Sequence, residues 1–361
     1  MPKTVLLGRA LALVCLSTVS FLAVDAKPVV VRVGYLPATH DSLLFVAKEL
    51  NLFDTRYIDV QMKPYDNSVQ ILSDLKGGNI DIGIPGMATP AMEIGGRAPL
   101  TIIGGAAARS AALVAGPEFA SRFKGAKTAE EKIRLLRLKT VGAVRGSTGL
   151  AILKEGIHRV GLPQKEVDLR DFTKPPDIIS ALTLGNLDAG LLWSPHMTLA
   201  KSRGLEIVMW MDEVLPNHVC CRQVARDDFL SQRDAVANYL AGLLKADKIL
   251  RTARTDSRQK ARVFGAVKKY LTTLSDAQLE SELFDRKRPM TTVSPDLNRS
   301  GIDAYLDAMQ TAGLMRPDQC RTVRDKVKEE YLVLAYQKIG CTPAIARICV
   351  DKPAERCECM K

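Results

Sequence analysis

Ile71–Gly83 reads ILSDLKGGNIDIG and Ile178–Gly190 reads IISALTLGNLDAG, identical at seven of thirteen positions across an offset of 107 residues. The match extends upstream. Val33-Gly34-Tyr35-Leu36 is echoed by Val141-Gly142-Ala143-Val144, and the turn Pro37-Ala38-Thr39-His40 by Arg145-Gly146-Ser147-Thr148. Each copy therefore runs strand, turn, helix, strand, helix, Gly-Asn-apolar-Asp, strand. A period of this length is far above the roughly 20–50 residues of a solenoid unit, and it predicts two similar lobes with a cleft between them.

Along the chain, the β-branched run Lys27–Val33 leads into helical spacing over Asp41–Leu50. Ile58–Met62 reads as a strand, and Ser68–Lys76 as a helix closed by Gly77-Gly78. Ile80–Ile84 is a strand running into Gly86-Met87-Ala88-Thr89-Pro90, where Thr89 suits an N-cap and Pro90 a first helical turn. Leu100–Gly104 and Ala111–Ala115 are further strands. The second copy gives strand Thr140–Val144, helix Gly149–Val160, strand Val167–Leu169, helix Asp177–Leu184 and strand Ala189–Leu192, then Trp193-Ser194-Pro195 opening another helix. This alternation predicts an α/β fold of mainly parallel sheets with helices on both faces. Crossings between lobes are expected near Val114–Pro117 and Pro216–Cys221. The organisation expected is a signal peptide over 1–26, a first lobe from 27–115 and 222–340 that includes a series of amphipathic C-terminal helices, a second lobe over 116–221, and a cysteine-bearing tail over 341–361.

The 361 residues, 47% apolar and 25% charged, suffice for two ordinary cores and exclude a disordered or fibrous chain. Lys3 and Arg9, the apolar run Ala10–Val24 and the segment Val24-Asp25-Ala26 read as a cleaved secretory signal, which implies a periplasmic or otherwise extracytoplasmic protein. That run falls short of the roughly 20 residues that span a bilayer. Val14 is bulkier than a lipoprotein site favours before its cysteine, which weighs against anchoring through Cys15. The net charge of +11 concentrates in 122–139 and 245–269, both with helical apolar spacing, so these are solvated helix faces. Aromatics are 5% and form no stacking platform, which argues against nucleic acid. A modest bias towards anionic ligands remains.

Cysteines stand at 15, 220, 221, 320, 341, 349, 357 and 359. An exported chain is expected to oxidise, and the tail lacks the tight Cys-x2-Cys pairs of zinc sites, so disulfides stapling the tail are expected. Adjacent cysteines rarely bridge each other. Cys220-Cys221 is therefore bonded elsewhere, buried and free, or turned towards a ligand, where a thiol pair suits a soft partner.

The stretches Gly34–Phe53 (GYLPATHDSLLFVAKELNLF), Ile71–Pro90, Leu138–Leu162 and Ile178–Pro195, in that order behind a signal sequence, resemble the substrate-binding proteins of ABC importers for nitrate, sulfonates, taurine and thiamine precursors. The resemblance covers roughly 31–315. It implies a two-lobed type II periplasmic-binding-protein fold, monomeric and without cofactor or metal, that closes on a small ligand and hands it to an ABC permease in the membrane.

In such sheets ligands bind beyond the carboxyl ends of strands, where helix N-termini offer unpaired N–H groups and partial positive charge. The candidate contacts are Thr39 and His40 in the first turn, then Gly86, Met87 and Thr89. Arg145, Gly146, Ser147 and Thr148 follow, with Trp193 and the pair Cys220 and Cys221. For the hydroxyls the competing role is plain helix capping. Arg145 either grips an anion bidentately or forms a structural ion pair. Trp193 is either a wall over the ligand or core. His40 and His218 are expected as hydrogen-bonding groups rather than metal ligands, and the repeated Asp81 and Asp188 as turn residues. No G-x-S-x-G, H-E-x-x-H or Walker-type motif is present, so no catalysis is expected. The alternatives are an enzyme of the same fold acting on a pyrimidine or chorismate-like compound, against which the four scattered histidines weigh, and a ligand-sensing module.

Overall fold

The computed structural model describes residues 27–350 and Cys357; the expected signal segment, Cys15 and Cys359 lie outside the described residues. The first sheet contains β1 (Val29–Tyr35), β2 (Ile58–Pro64), β3 (Ile82–Gly83) and β4 (Leu100–Ala108). The second contains β5 (Ala111–Ala115), β6 (Lys139–Val144), β7 (Val167–Phe172), β8 (Ala189–Trp193) and β9 (Glu206–Trp210). β10 (Val219–Arg226) and β11 (Thr292–Val293) return to the first. The strand orders are β2-β1-β3-β10-β4-β11 and β7-β6-β8-β5-β9. In each sheet the opening strand of the repeat, β1 or β6, is parallel to its two neighbours, while β10 and β11 in the first sheet and β5 in the second run antiparallel to the strands beside them. The sequence repeat is thus a repeat of topology, with β1, β2, β3 and β4 matched by β6, β7, β8 and β9.

Packing explains why those particular letters recur. Gly83 lies under the helix Ser68–Lys76, and a Cβ there would sit 2.5 Å from Ile71 Cγ2 and 2.8 Å from Leu75 Cδ1. Gly190 meets Ile178 and Leu182 in the same way under the helix Pro175–Thr183. Only glycine lets these helices approach the sheet so closely. The repeated aspartates tie strands: Asp81 Oδ2 accepts from the Arg32 backbone N–H at 2.9 Å and Asp188 Oδ2 from that of Thr140 at 2.8 Å. Asp81 also pairs with Arg32 and Arg226, and Asp188 with Lys139. These are structural roles, as duplication suggested.

Two boundaries differ from the sequence reading. β5 pairs with β8 and β9 in the second sheet, so the chain changes lobe at Arg109–Ser110, not at 114–117. The return falls at 215–218, which leaves Cys220 and Cys221 inside β10 of the first sheet. The C-terminal part does not belong wholly to the first lobe either. Between the helix Asp276–Leu283 and β11, Arg288 pairs with Asp212 and stacks 4.0 Å over the Trp210 ring, and Met290 enters the core of the second lobe. This stretch is a third strap across the hinge.

In the tail, Cys349 and Cys357 form a disulfide and Cys341 is disulfide-bonded, whereas Cys220, Cys221 and Cys320 are free and buried. Among the described residues no helix is long and apolar enough to cross a membrane.

Candidate functional site

Two helix starts converge where the lobes meet. Ser147 caps the helix Thr148–Arg159, its hydroxyl accepting from Leu150 N–H at 3.3 Å. Opposite, the turn after β3 enters the helix Ala88–Gly95, and Gly86 N–H donates to Ser68 Oγ at 2.9 Å. Thr89 is not the N-cap that its position suggested, because the helix begins two residues earlier, at Ala88 with Met87 before it; its hydroxyl donates back to Gly86 O at 3.1 Å. The lobes touch here. Gly146 has φ +72°, and a Cβ on it would lie 2.8 Å from Thr89 Cγ2, so glycine is needed both for the turn and for the close approach.

The strand β10 links both turns. Cys220 O accepts from Met87 N–H at 2.6 Å and from Thr148 Oγ1 at 3.2 Å, one bond from each lobe. Ser110 Oγ donates to Cys220 Sγ at 2.9 Å, and the two thiols are 3.5 Å apart. Hydrogen bonding to its neighbour and burial push the Cys221 thiol well above its ordinary range. The adjacent thiols are thus unbridged and face the cleft.

Between these elements lies a cavity of about 30 Å³, bordered by His40, Gly86, Arg145, Ser147, Thr148, Trp193, Cys220 and Cys221. That volume holds one or two waters, so the lobes are drawn together. Thr89 and Gly146 border an adjoining cavity that shares Ser147. Thr39 and Met87 border neither: Met87 is core, and Thr39 Oγ1 donates to Glu282 Oε2 at 2.9 Å. Ser68 was missed, and only its place at the start of a repeat helix marked it.

Charge in the cleft is sparse. Arg145 is largely exposed and paired with Asp171 at 2.9 Å while it also borders the cavity. His40 is buried with neither ring nitrogen bonded, and burial, reinforced by His196, lowers its pKa to about 3. Burial likewise raises the Asp41 carboxyl, whose Oδ2 accepts from Leu36 N–H at 2.8 Å while Oδ1 has no partner. Glu282, fully buried, accepts from Thr39 of the first lobe and Thr198 of the second, and burial raises its pKa. Nothing in the sequence flagged Glu282, since a lone glutamate in an amphipathic helix carries no signal of where it points. Among the described residues no group of three His, Cys, Asp or Glu side chains is arranged to hold a metal ion. The cleft therefore offers neutral hydroxyl, imidazole, thiol and amide groups at two helix starts, suited to binding a small polar group.

The model of the NMT1-like family matches residues 25–264. A curated relative from Escherichia coli K12, named for binding aliphatic sulfonates, is 26% identical over 252 residues, covering 68% of this chain and 76% of its own. The alkanesulfonate-binding protein SsuA of Xanthomonas axonopodis pv. citri, solved with MOPS bound, superposes with a TM-score of 0.66 at 20% identity, covering 84% of this chain and 99% of that one. The periplasmic nitrate-binding protein NrtA of Synechocystis PCC 6803 gives 0.69 at 12% identity, covering 88% and 91%. With its repeated topology, its cleft and this match across both lobes, the chain belongs to the NMT1-like family and has the two-lobed fold of type II periplasmic binding proteins.

Proposed function

We propose that the protein is an extracytoplasmic solute-binding protein that captures a small oxyanion between its lobes and delivers it to an ABC permease. The ligand class is a sulfonate first, with nitrate, taurine and thiamine-precursor-like compounds after it. The observation that carries this reading is the cavity itself, walled by Gly86 and His40 on one side and by Ser147, Thr148 and Trp193 on the other. A ligand gains the full set of contacts only when the lobes meet, so binding and closure are linked. The start of the helix Thr148–Arg159 and the Ser147 hydroxyl suit oxyanion oxygens, and the Thr148 hydroxyl joins them when its proton turns from Cys220 O to the ligand. With Arg145 engaged by Asp171 and His40 neutral, the ligand charge is met by helix dipoles and neutral donors, which favours a singly charged oxyanion. Family membership and the sulfonate- and nitrate-binding relatives support the same assignment.

The test is calorimetric titration with methanesulfonate, nitrate and taurine, followed by small-angle scattering with the best of them. A saturable heat and a smaller radius of gyration are expected. No binding of any of the three, or binding without compaction, overturns the reading. Recovery of the ligand unchanged after prolonged incubation separates transport from an enzyme of the same fold.

A further inference from the structure

Consecutive side chains on a regular strand point to opposite faces of the sheet. Cys220 and Cys221 depart from that rule. On β10, Val219 stands opposite Ala108, Cys221 opposite Ala107 and Arg222 opposite Gly105, with the register shifting on both sides of Cys221. A bulge of this kind re-aims side chains, and here both buried thiols border the cleft cavity with their sulfurs 3.5 Å apart. Cys220 Sγ accepts from Ser110 Oγ at 2.9 Å, so this sulfur already acts as an electron donor. His40 borders the same cavity, buried and with neither ring nitrogen bonded. A buried polar group without a partner calls for a ligand atom or water.

The spacing and the surroundings narrow what the pair can hold. Thiol sulfur selects soft centres. Closing adjacent cysteines directly to about 2.0 Å strains the small ring, whereas one bridging atom enlarges the ring and leaves the sulfurs nearly where they are. With bonds of about 2.3 Å, sulfurs on a linear centre stand about 4.6 Å apart, on a tetrahedral one about 3.8 Å, and on a pyramidal one with an angle near 100° about 3.5 Å. Metal ions in closed protein sites also take more than two side chains, and among the described residues no group of three His, Cys, Asp or Glu is arranged to supply them. The cavity itself has room for one or two waters. Its larger neighbour, bordered by Tyr305 and Met309, reaches Ser147 but neither thiol. A fitting ligand is therefore compact, three-coordinate, and brings its own third substituent.

We propose that Cys220 and Cys221 form a covalent site for a small trivalent arsenical, arsenous acid or a monosubstituted derivative that carries two hydroxyls. Two As–O bonds and two S–H bonds break and two As–S bonds form. Each displaced hydroxyl leaves as water with one thiol proton, arsenic stays trivalent, and nothing is oxidised or reduced. The third substituent remains in the cavity, where a hydroxyl finds a hydrogen-bond partner in the His40 ring. This capture is a second binding activity of the cleft and stands independently of the oxyanion reading.

The test is titration of the full chain with arsenite in the absence of oxygen, followed by intact-mass spectrometry and by alkylation with peptide mapping. One adduct is expected, heavier by arsenous acid less two waters, with Cys220 and Cys221 protected together, Cys320 unaffected, and full reversal by a small dithiol. Two thiols on one strand act as a chelate worth about 10²–10⁴ in affinity over one. Cys220→Ser and Cys221→Ser should each lose at least about a hundredfold, the double variant little more, and Cys320→Ser nothing. The mapping on the unsubstituted chain needs no variant at a buried position, so the proposal stays testable if the serine forms fold poorly. No adduct, or protection that omits either cleft thiol, overturns it. Capture of mercuric ion without capture of arsenite overturns the three-coordinate geometry, and with it the assignment to an arsenical.

Discussion

Acid should destabilise the folded chain through His40, and the size of the effect follows from its surroundings. The ring is buried where the lobes meet, neither nitrogen has a partner, and its pKa is lowered from 6.5 to about 3. The groups around it are the buried Asp41, with 3.8 Å between His40 Nε2 and Asp41 Oδ1, His196 of the second lobe, and the two thiols. In the unfolded chain His40 takes up a proton as the pH falls below 6.5. In the folded chain it stays neutral until far lower, so the unfolded state binds more protons and stability falls with pH across that window. At about pH 5 this costs about 2 kcal/mol relative to neutral pH. Asp41 and Glu282 act in the opposite sense, since their raised carboxyl pKa values favour the folded state as pH falls. The total pH dependence is therefore a sum, and the His40 part is isolated by difference. Urea unfolding of the wild type and of His40→Gln at about pH 7.5 and about pH 5 is the assay. The wild type should lose about 2 kcal/mol more than the variant over that interval. Equal losses would mean that His40 is hydrated in solution, and would refute the buried neutral imidazole.

Thr148→Ala removes the hydroxyl whose single proton goes to Cys220 O and turns to the ligand when it donates at the oxyanion site. Its methanesulfonate affinity should drop by roughly 10- to 150-fold by calorimetry, the loss of one hydrogen bond to a charged group; unchanged affinity in Thr148→Ala and Ser147→Ala alike moves the ligand away from this turn. Gly83→Ala places a Cβ against Ile71 and Leu75 and should cost about 1–3 kcal/mol in chemical unfolding as an overpacked core, an expectation that a neutral result would remove. Replacing Cys349 and Cys357 by serine frees a short loop and should cost about 2–3 kcal/mol locally, read as faster proteolysis of the tail with ligand affinity unchanged; a parallel loss of affinity would tie the tail to the cleft.

The repeat made the fold legible because its conserved letters are the points where helix and sheet interlock: Gly83 under Ile71, Gly190 under Ile178, Asp81 and Asp188 on equivalent backbone amides. The crossing was not legible in the same way. Ala111–Ala115 is an apolar strand in any sheet, and nothing in AALVA tells whether it pairs with β4's lobe or with β8. The turns were legible as helix starts, which is how eight of the named candidates came to border one cavity. Side chains arriving from the C-terminal helices were not. Glu282 reaches Thr39 across 243 residues of sequence, and Tyr305 and Met309 read as the buried face of an amphipathic helix. Helical periodicity identifies which face is covered, not what covers it.

Cys220 and Cys221 report on closure because of where β10 puts them. The Cys220 carbonyl is bonded to Met87 N–H of the first lobe and to Thr148 Oγ1 of the second, and Gly86 pairs with Cys221 in an isolated β-bridge. Opening the lobes must break the Thr148 bond and uncover the cavity that both thiols border. Cys320, buried beneath the helix Arg299–Thr311 with its thiol towards Leu306 O, lies outside that movement. Thiol alkylation near neutral pH, with peptide mapping over time, should therefore modify Cys220 and Cys221 at a rate set by opening of the cleft. Cys320 should react only through wider unfolding. Saturating methanesulfonate holds the lobes together and should slow the cleft pair by at least about tenfold more than it slows Cys320. If ligand slows all three thiols equally, it stabilises the whole fold without closing the cleft, and the hinge reading of β10 fails.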